Sequence, residues 1–532
     1  MAGGPGAGIA HEGLSRAAVG DNARMSEILL ATLNARYAHA SLGLRYLRAN
    51  LGEWREASAI CEFVIGQKTE EIVEKLLAGQ PRIVGFGVYI WNVEETTRVV
   101  AQLKTLAPEL LIVVGGPEVS YETGEQRICA LADYVVTGWG DVTFAGLVRQ
   151  LLAGERPPQR IIAGVQAPLA AIASPYAEYT EEDVRQRHVY VEASRGCPFK
   201  CEFCLSSLDK TAWPFPLEAF LADLEALYQR GARQFKFVDR TFNLKPDTSL
   251  AILGFFLGKL EADADDPPFV HFELIPDHLP ERLKDMIARF PDGTLQFEIG
   301  IQSFDADVQA RVSRRQKNDV AADNLVWLRR HSRAHLHVDL IAGLPGEDMA
   351  TFGAGFDRLV ALGPHEIQFG ILKRLRGAPI ARHTVEHGLR FNPDPPYNIL
   401  ATNVIDFATM QRLVRFSRYW DIVANSGRYR RSLALLLDSE PFGNFLAFSD
   451  WLYARTGQTH ALAQERLVHL LHEFLCERTP ANAIAIGEAL AADYHGTGGR
   501  SRLRFESGPA IRSAPRRKGA ATPSRQRRHL QT

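Results

Sequence analysis

Gly196-Cys197-Pro198-Phe199-Lys200-Cys201-Glu202-Phe203-Cys204 is the stretch on which the reading of this chain turns. Its spacing is C-x3-C-x2-C. Three thiolates this close in sequence can bind three irons of a [4Fe–4S] cluster. No fourth cysteine follows at short spacing, so one iron stays open to an exogenous ligand. An open coordination position is what separates a catalytic metal site from a structural one. The alternatives are a zinc site and three unrelated thiols. Zinc takes four ligands, and its cysteines come as paired C-x2-C units. His188 lies upstream, but no second cysteine pair exists.

Outward from the motif, the chain alternates short apolar runs with amphipathic stretches. Upstream, strands are expected at 28–33, 60–65, 83–88, 110–114 and 134–136, with helices at 42–51, 70–77, 93–106 and 143–152. Five strands alternating with helices predict a doubly wound, flavodoxin- or Rossmann-like parallel sheet over residues 25–165. Ligands of such sheets sit in the loops at the carboxyl ends of the strands. Those loops hold Asn34 and His39 after strand one, and Tyr89 and Trp91 after strand three. Gly115-Gly116-Pro117 follows strand four, and Gly138-Trp139-Gly140-Asp141 follows strand five. Glycines there let backbone approach a bulky ligand.

Downstream, strands are expected at 189–193, 234–238, 270–274, 295–299, 336–341 and 366–372, with helices such as 217–230, 248–261 and 320–331 between them. Six βα units predict a partial (βα)6 barrel over residues 183–378. Its chemistry belongs at the C-terminal strand ends, and the cysteine loop directly follows the first strand. Other strand ends carry Asp239 and Thr241, Glu273, Glu298 with Gln302 and Ser303, then Asp339 and Gly343. Singly, each acid could be a structural salt-bridge partner. Their recurrence around one barrel points to a site.

A barrel with this cysteine spacing, preceded by this α/β domain, resembles the cobalamin-dependent class of the radical S-adenosylmethionine (SAM) superfamily. The resemblance implies that the open iron chelates the amino and carboxylate groups of SAM, and that one electron from the cluster cleaves SAM to a 5′-deoxyadenosyl radical. It implies that Phe203 lies against adenine. Glu298, Gln302 and Ser303 match the ribose-contacting strand, and the turn from Gly343 to Glu347 matches the one beside adenine. Asp239 to Phe242, with Thr241, occupies the place of the motif near the SAM amino group, and Asp339 joins the same set. The Gly115-Gly116-Pro117 turn resembles the class's loop beside the corrin ring. Gly138 to Asp141 resembles its Gly-Glu-Gly-Glu turn, departing from it at Trp139 and Asp141. The D-x-H-x-x-G pattern that supplies a histidine to cobalt elsewhere is absent: Gly43 lies four residues after His39, not three. His39 is therefore read as a corrin contact or a polar loop residue, beside Asn34, Tyr89 and Trp91. The bland alternative is a flavodoxin-like fold without a ligand.

From about residue 380 the rhythm changes to long helical patterns, at 409–424, 432–437, 442–454 and 461–474, and an α-helical domain is expected over 380–497 near the barrel mouth. This stretch resembles a C-terminal domain of unknown function found behind B12-type radical SAM modules. Residues 1–24, rich in Gly and Ala, are expected to be a disordered extension. Residues 498–532 are expected to be a disordered basic tail, with ten Lys/Arg from Arg500 onward against Glu506 alone.

The 532 residues carry six cysteines, 46% apolar residues and a net charge of −1. Cys61, Cys129 and Cys476 are scattered in apolar segments, which excludes a disulfide framework and fits a reducing cytoplasm. No apolar run approaches a membrane span. Nucleic acid is not an expected partner.

The expected function is a C-methyltransferase. Its cofactors are a [4Fe–4S] cluster, SAM and cobalamin, acting on a small-molecule or biosynthetic-intermediate substrate with flavodoxin or ferredoxin as electron donor. Two sheets facing one cavity would bring both cofactors together. The same parts could run a rearrangement, a cyclisation or an oxidation in which cobalamin passes electrons, or serve a non-catalytic cobalamin sensor. A methylthiotransferase is disfavoured, because that family's N-terminal domain supplies three cysteines and this one has only Cys61 and Cys129.

Overall fold

A computed structural model describes residues 26–209, 211–506 and 523–530. The chain forms two compact units. The first holds the described residues up to Ala167 together with Ile172–Glu178; the second holds Pro168–Ala171 and everything from Tyr179 on.

In the first unit six strands pair in parallel: β1 (Ile28–Asn34), β2 (Ser58–Val64), β3 (Ile83–Gly87), β4 (Leu111–Gly115), β5 (Tyr134–Thr137) and β6 (Ile161–Ala163), in the order 2-1-3-4-5-6. Alternation along β1 builds both faces. Leu29, Ala31 and Leu33 join one core with α2 (Thr69–Ala78), α3 (Val93–Leu106) and α4 (Arg127–Leu131); Ile28 and Leu30 join another with α1 (Leu42–Ala49) and α5 (Asp141–Leu152). Period-two burial on both faces is what a parallel sheet between two helical layers requires. The strand order reverses at β1, so the switch point lies between the carboxyl ends of β1 and β3. The sixth strand was not expected from sequence. It is a three-residue edge, too short to show a period.

In the second unit, after α6 (Glu181–Gln186), six parallel strands lie in sequence order: β7 (Val189–Val191), β10 (Gln234–Phe237), β11 (Phe269–Leu274), β12 (Leu295–Gln302), β13 (His335–Ala342) and β14 (Glu366–Ile371). The helices between them are α7 (Leu217–Gln229), α8 (Pro246–Ala262), α9 (Glu281–Ile287), α10 (Ala306–Arg311), α11 (Asn318–His331) and α12 (Met349–Leu362). Two small antiparallel hairpins add to this. β8 (Ser194–Gly196) pairs with β9 (Ala212–Pro214) and frames the cysteine loop; β15 (Arg390–Phe391) pairs with β16 (Ile399–Ala401).

The helical region comprises α13 (Phe407–Val423), α14 (Arg430–Leu437), α15 (Pro441–Thr456), α16 (Gln464–Arg478) and α17 (Ala483–Gly496). It shares one compact unit with the barrel rather than forming its own. α13 lies along the edge strand β14. Ser417 Oγ donates to Phe369 O at 2.6 Å, and the Asn425 side chain bonds both the N–H and the C=O of Ile367, at 2.9 and 2.8 Å. Side chains thus satisfy an open sheet edge. Phe356, Phe369, Phe416, Trp420 and Phe442 interlock behind it.

The expected disorder of residues 1–24 lies outside the described residues, as do 507–522 and 531–532 of the tail. The rest of the tail corrects the expectation. Residues 524–530 form a helix, α18 (Ser524–Leu530), and Arg525 pairs with Asp421 at 2.7 Å and with buried Glu366 at 2.9 Å. Gln526 is buried and bonds Gln296. The basic composition concealed this, because Arg525 meets acids of β14 and α13 rather than water.

Candidate functional site

The cysteine loop leaves the carboxyl end of β7 and runs between β8 and β9. Cys197 and Cys201 are buried and Cys204 is half-buried. All three line one cavity of about 260 Å³, together with Phe203, Arg240, Thr241, Glu273, Glu298, Gln302, Arg314 and Asp339. The walls come from the carboxyl-terminal halves of the barrel strands and the loops that follow them. Of the residues that sequence linked to SAM, Phe203, Thr241, Glu298, Gln302 and Asp339 meet here.

Three of these residues carry buried polar atoms without a hydrogen-bond partner, Thr241 Oγ1, Gln302 Oε1 and Asp339 Oδ1, the last 3.5 Å from His337 Nε2. Native proteins rarely leave such atoms unpaired, and their gathering on one cavity marks it as built for a polar ligand. Gln302 has φ +70°, at a break in the β12–β13 register between Gly300 and Gln302. Irregularities of this kind re-aim side chains at functional sites.

Burial pushes the Cys197 thiol up to about 11, and the neighbouring Cys204 and Cys201 add to the effect. Burial also raises Cys201, against the pull of Arg314, whose Nη1 lies 3.5 Å from the Cys201 sulfur. Buried thiols hold their protons until a metal displaces them. Three thiols on one cavity, a cation beside them and polar side chains in the same lining are a donor set that fits a three-cysteine [4Fe–4S] cluster with a small polar partner.

Two carboxyls of the cavity are driven apart. Burial opposes ionisation of Glu298, but the hydrogen bond and charge of His271, with His337 and Lys236, overcome it and hold the group below the usual range. His271 Nε2 lies 3.1 Å from Glu298 Oε2. Burial lowers His271, while the hydrogen bond and charge of Glu298 pull it back up. Asp339 is raised well above its ordinary value, by burial first and then by Glu298 and Glu273. Burial and neighbours therefore push two carboxyls of one wall in opposite directions.

The remaining expected residues lie elsewhere. Asp239 is buried and accepts from Ser194 Oγ at 2.6 Å and Ala193 N–H at 2.9 Å; burial pushes it up to about 7. Ser303 donates to Glu347 at 2.5 Å, a carboxyl that burial pushes up to about 8. Gly343 turns with φ +87° under the β15–β16 hairpin, where a Cβ would sit 2.7 Å from Ile399. Arg314 was missed from sequence, because it belongs to a loop and not to a strand end.

In the first unit, Asn34, His39, Tyr89, Trp91, Gly115, Gly116, Pro117, Gly138 and Gly140 all fall after the carboxyl ends of β1, β3, β4 and β5, or at the last residue of β1 or β4. Tyr89 and Trp91 stack at 4.5 Å and 7°, with Trp91 48% exposed. Buried Asn92 ties the ends of β1 and β3 together through Leu33 O and Gly87 O. Asn34 is committed within the protein. Its amide donates to His39 O and to Glu62, each at 2.9 Å, and Glu62 pairs with buried Arg45 at 3.0 Å. Gly116 has φ +117°, and a Cβ there would lie 2.5 Å from Val88 O.

Comparison with known proteins agrees with this layout. The B12 binding domain family matches residues 28–148, the radical SAM superfamily residues 191–359, and a protein family of unknown function (DUF4080) residues 385–504. The 2-(S-pantetheinyl)-carbapenam-3-carboxylate methyltransferase of Streptantibioticus cattleyicolor is 24% identical over 61% of this chain and 52% of its own, so the chain spans about half of that relative. The cobalamin-dependent radical SAM methyltransferase TokK of Streptomyces tokunonensis is 24% identical over 78% of this chain and 68% of its own. The fold is similar to that of OxsB, a cobalamin-dependent S-adenosylmethionine radical enzyme solved with aqua-cobalamin and S-adenosylmethionine bound (TM-score 0.55, 14% identity, 89% of this chain and 84% of that one). It is also similar to that of TsrM, a radical S-adenosylmethionine methyltransferase from Kitasatospora setae (TM-score 0.57, 17% identity, 72% and 81%). No helix among the described residues is long and apolar enough to cross a membrane.

Proposed function

The chain belongs to the radical SAM superfamily, in the class whose barrel follows a B12-binding domain, and from that premise we propose a cobalamin-dependent enzyme that methylates an unactivated carbon of a small molecule. The observation that carries the proposal is the meeting of Cys197, Cys201 and Cys204 with Thr241, Glu298, Gln302 and Asp339 on one cavity. When bound, the cluster and SAM supply one-electron chemistry and cobalamin supplies a transferable methyl group.

The chain's own residues bind and orient. The three thiols hold the cluster, and Arg314 places a positive charge beside Cys201. Glu298, ionised and braced by His271, accepts from ligand hydroxyls. Asp339, pushed toward its neutral form by burial and by Glu298 and Glu273, lines the same cavity. Burial of this wall limits water near a reactive species. In the first unit, Tyr89 and Trp91 offer a flat aromatic face at the switch point, and Gly116 lets the β4 turn come close to a large planar ligand. His39 is assigned no cobalt bond. Methylation is favoured over other radical outcomes because two of the relatives are named methyltransferases. Rearrangement, cyclisation or oxidation is the second reading; OxsB is named a radical enzyme without that word. A flavodoxin or ferredoxin is the fitting class of electron donor.

The test begins with anaerobic purification from cobalamin-fed cells. About four irons per chain, as a [4Fe–4S] cluster requires, and one corrin are expected, with both iron and SAM cleavage lost in Cys201→Ala. Incubation with methyl-deuterated SAM should label the corrin-bound methyl group. Iron and corrin without label transfer would favour the electron-carrier reading. Iron without corrin would sink the cobalamin proposal.

A further inference from the structure

We infer that His383, Glu386 and His387 form a divalent-metal site, zinc by the chemistry of its donors, that clips the segment after β14 to the cysteine loop through Glu202. The inference is independent of the reaction proposed above.

After β14 the chain makes a 3-10 turn over Pro379–His383 and then a single helical turn, in which His387 N–H donates to His383 O at 3.0 Å. The two histidines are therefore four residues apart on one face, with rings 5.8 Å apart. Candidate ligand atoms of His383, Glu386 and His387 all lie within 4.8 Å of one another. The sequence His383-Thr384-Val385-Glu386-His387 has the H-x-x-E-H spacing, which puts two imidazoles on one metal with a glutamate beside it in some zinc enzymes. That spacing alone is a weak signal.

The second observation is Glu202, the residue between Cys201 and Phe203. Its Oε2 lies 2.8 Å from His383 Nε2. Its Oε1 is occupied from the other side, by Ser313 Oγ at 2.5 Å and by the Arg382 guanidinium. The carboxylate is buried and its orientation fixed, with one oxygen aimed at the imidazole. Partners that orient a ligand in this way accompany metal sites. Here Glu202 and Ser313 come from outside the turn that carries the histidines. The Glu202 backbone is anchored as well: its N–H donates to Val312 O at 3.0 Å, and its C=O accepts from Ile380 N–H at 2.9 Å. His383 is buried while Glu386 is 78% exposed, so an ion can enter from solvent and finish against the protein. Nitrogen and oxygen donors without thiolate suit zinc and exclude a second iron–sulfur cluster.

The test uses the full-length, cluster-loaded chain under anaerobic conditions, with zinc chloride as the probe. Titration should give one zinc per chain, and zinc-edge X-ray absorption should show nitrogen and oxygen neighbours without sulfur. His387→Ala should weaken zinc roughly tenfold or more while iron content stays at the wild-type level. Should that variant misfold, Glu386→Gln alters only an exposed side chain and should weaken zinc without changing the melting temperature of the metal-free protein. Zinc with sulfur neighbours, zinc held equally by both variants, or no zinc retained would each overturn the site.

Discussion

At Gly116 the chain turns with φ +117° while passing so close to β3 that any side chain meets the Val88 carbonyl. Gly116→Ala combines left-handed strain with a backbone clash. It should cost about 2–3 kcal/mol, read as a lowered unfolding midpoint in urea. Gly124→Ala, with nothing within 4 Å of the new methyl, should leave the midpoint unchanged. The cavity wall offers a second contrast. Burial and two neighbouring acids push Asp339 toward its neutral form, which an amide mimics. Asp339→Asn should therefore shift stability by less than about 1 kcal/mol, whereas Glu298→Gln, which removes the acceptor charge beside His271, should cost about 1.5–3 kcal/mol by the same measurement. At this scale the sequence was informative about which residues matter and silent about their charge. Asp339 and Glu298 look alike as acids at strand ends, and only burial and their neighbours separate them.

Among elements, the joint between α13 and β14 carries the most information. An open barrel leaves an edge strand, and here one asparagine stands in for a neighbouring strand by bonding both polar groups of Ile367. Asn425→Ala should leave a buried N–H and C=O unpaired and cost about 2–4 kcal/mol; faster hydrogen exchange at Ile367 is the direct readout. The elements themselves were largely legible from sequence. Ten of the eleven strands expected from the periodicity overlap the observed β1–β5 and β10–β14, and the remaining one overlaps β7. The misses are short or irregular. β6, β8 and β9 have three residues each, and the Gln302 register break has no period to read. The joint itself was also hidden, since Asn425 reads in sequence as an ordinary helix-ending residue.

For the whole molecule, the tail helix and the histidines beneath β13 and β14 act together. Burial pushes His335 down to about 3, His365 to about 2 and His529 to about 4. These imidazoles are neutral when folded and titrate near their ordinary value when unfolded, so the unfolded chain binds more protons below about pH 6.5. Stability is complete above that pH and declines as pH falls toward about 4. Melting temperature followed from pH 7.5 to 5 should show the fall. A chain ending at residue 506 loses Arg525, Gln526 and His529; it should melt lower at every pH and show a shallower slope, because one of the three histidines is gone.

Sequence by itself determined the cluster motif, the two parallel α/β units and the strand ends at which the site residues lie, since cysteine spacing and hydrophobic period are local properties of a chain. Tertiary structure alone decided which polar groups meet. Arg314 reaches Cys201 from 113 residues away, His383 reaches Glu202 from 181, and Gln526 reaches Gln296 from 230. Such pairings follow from how packed strands and loops converge in space, and they leave no periodic trace in the residues between.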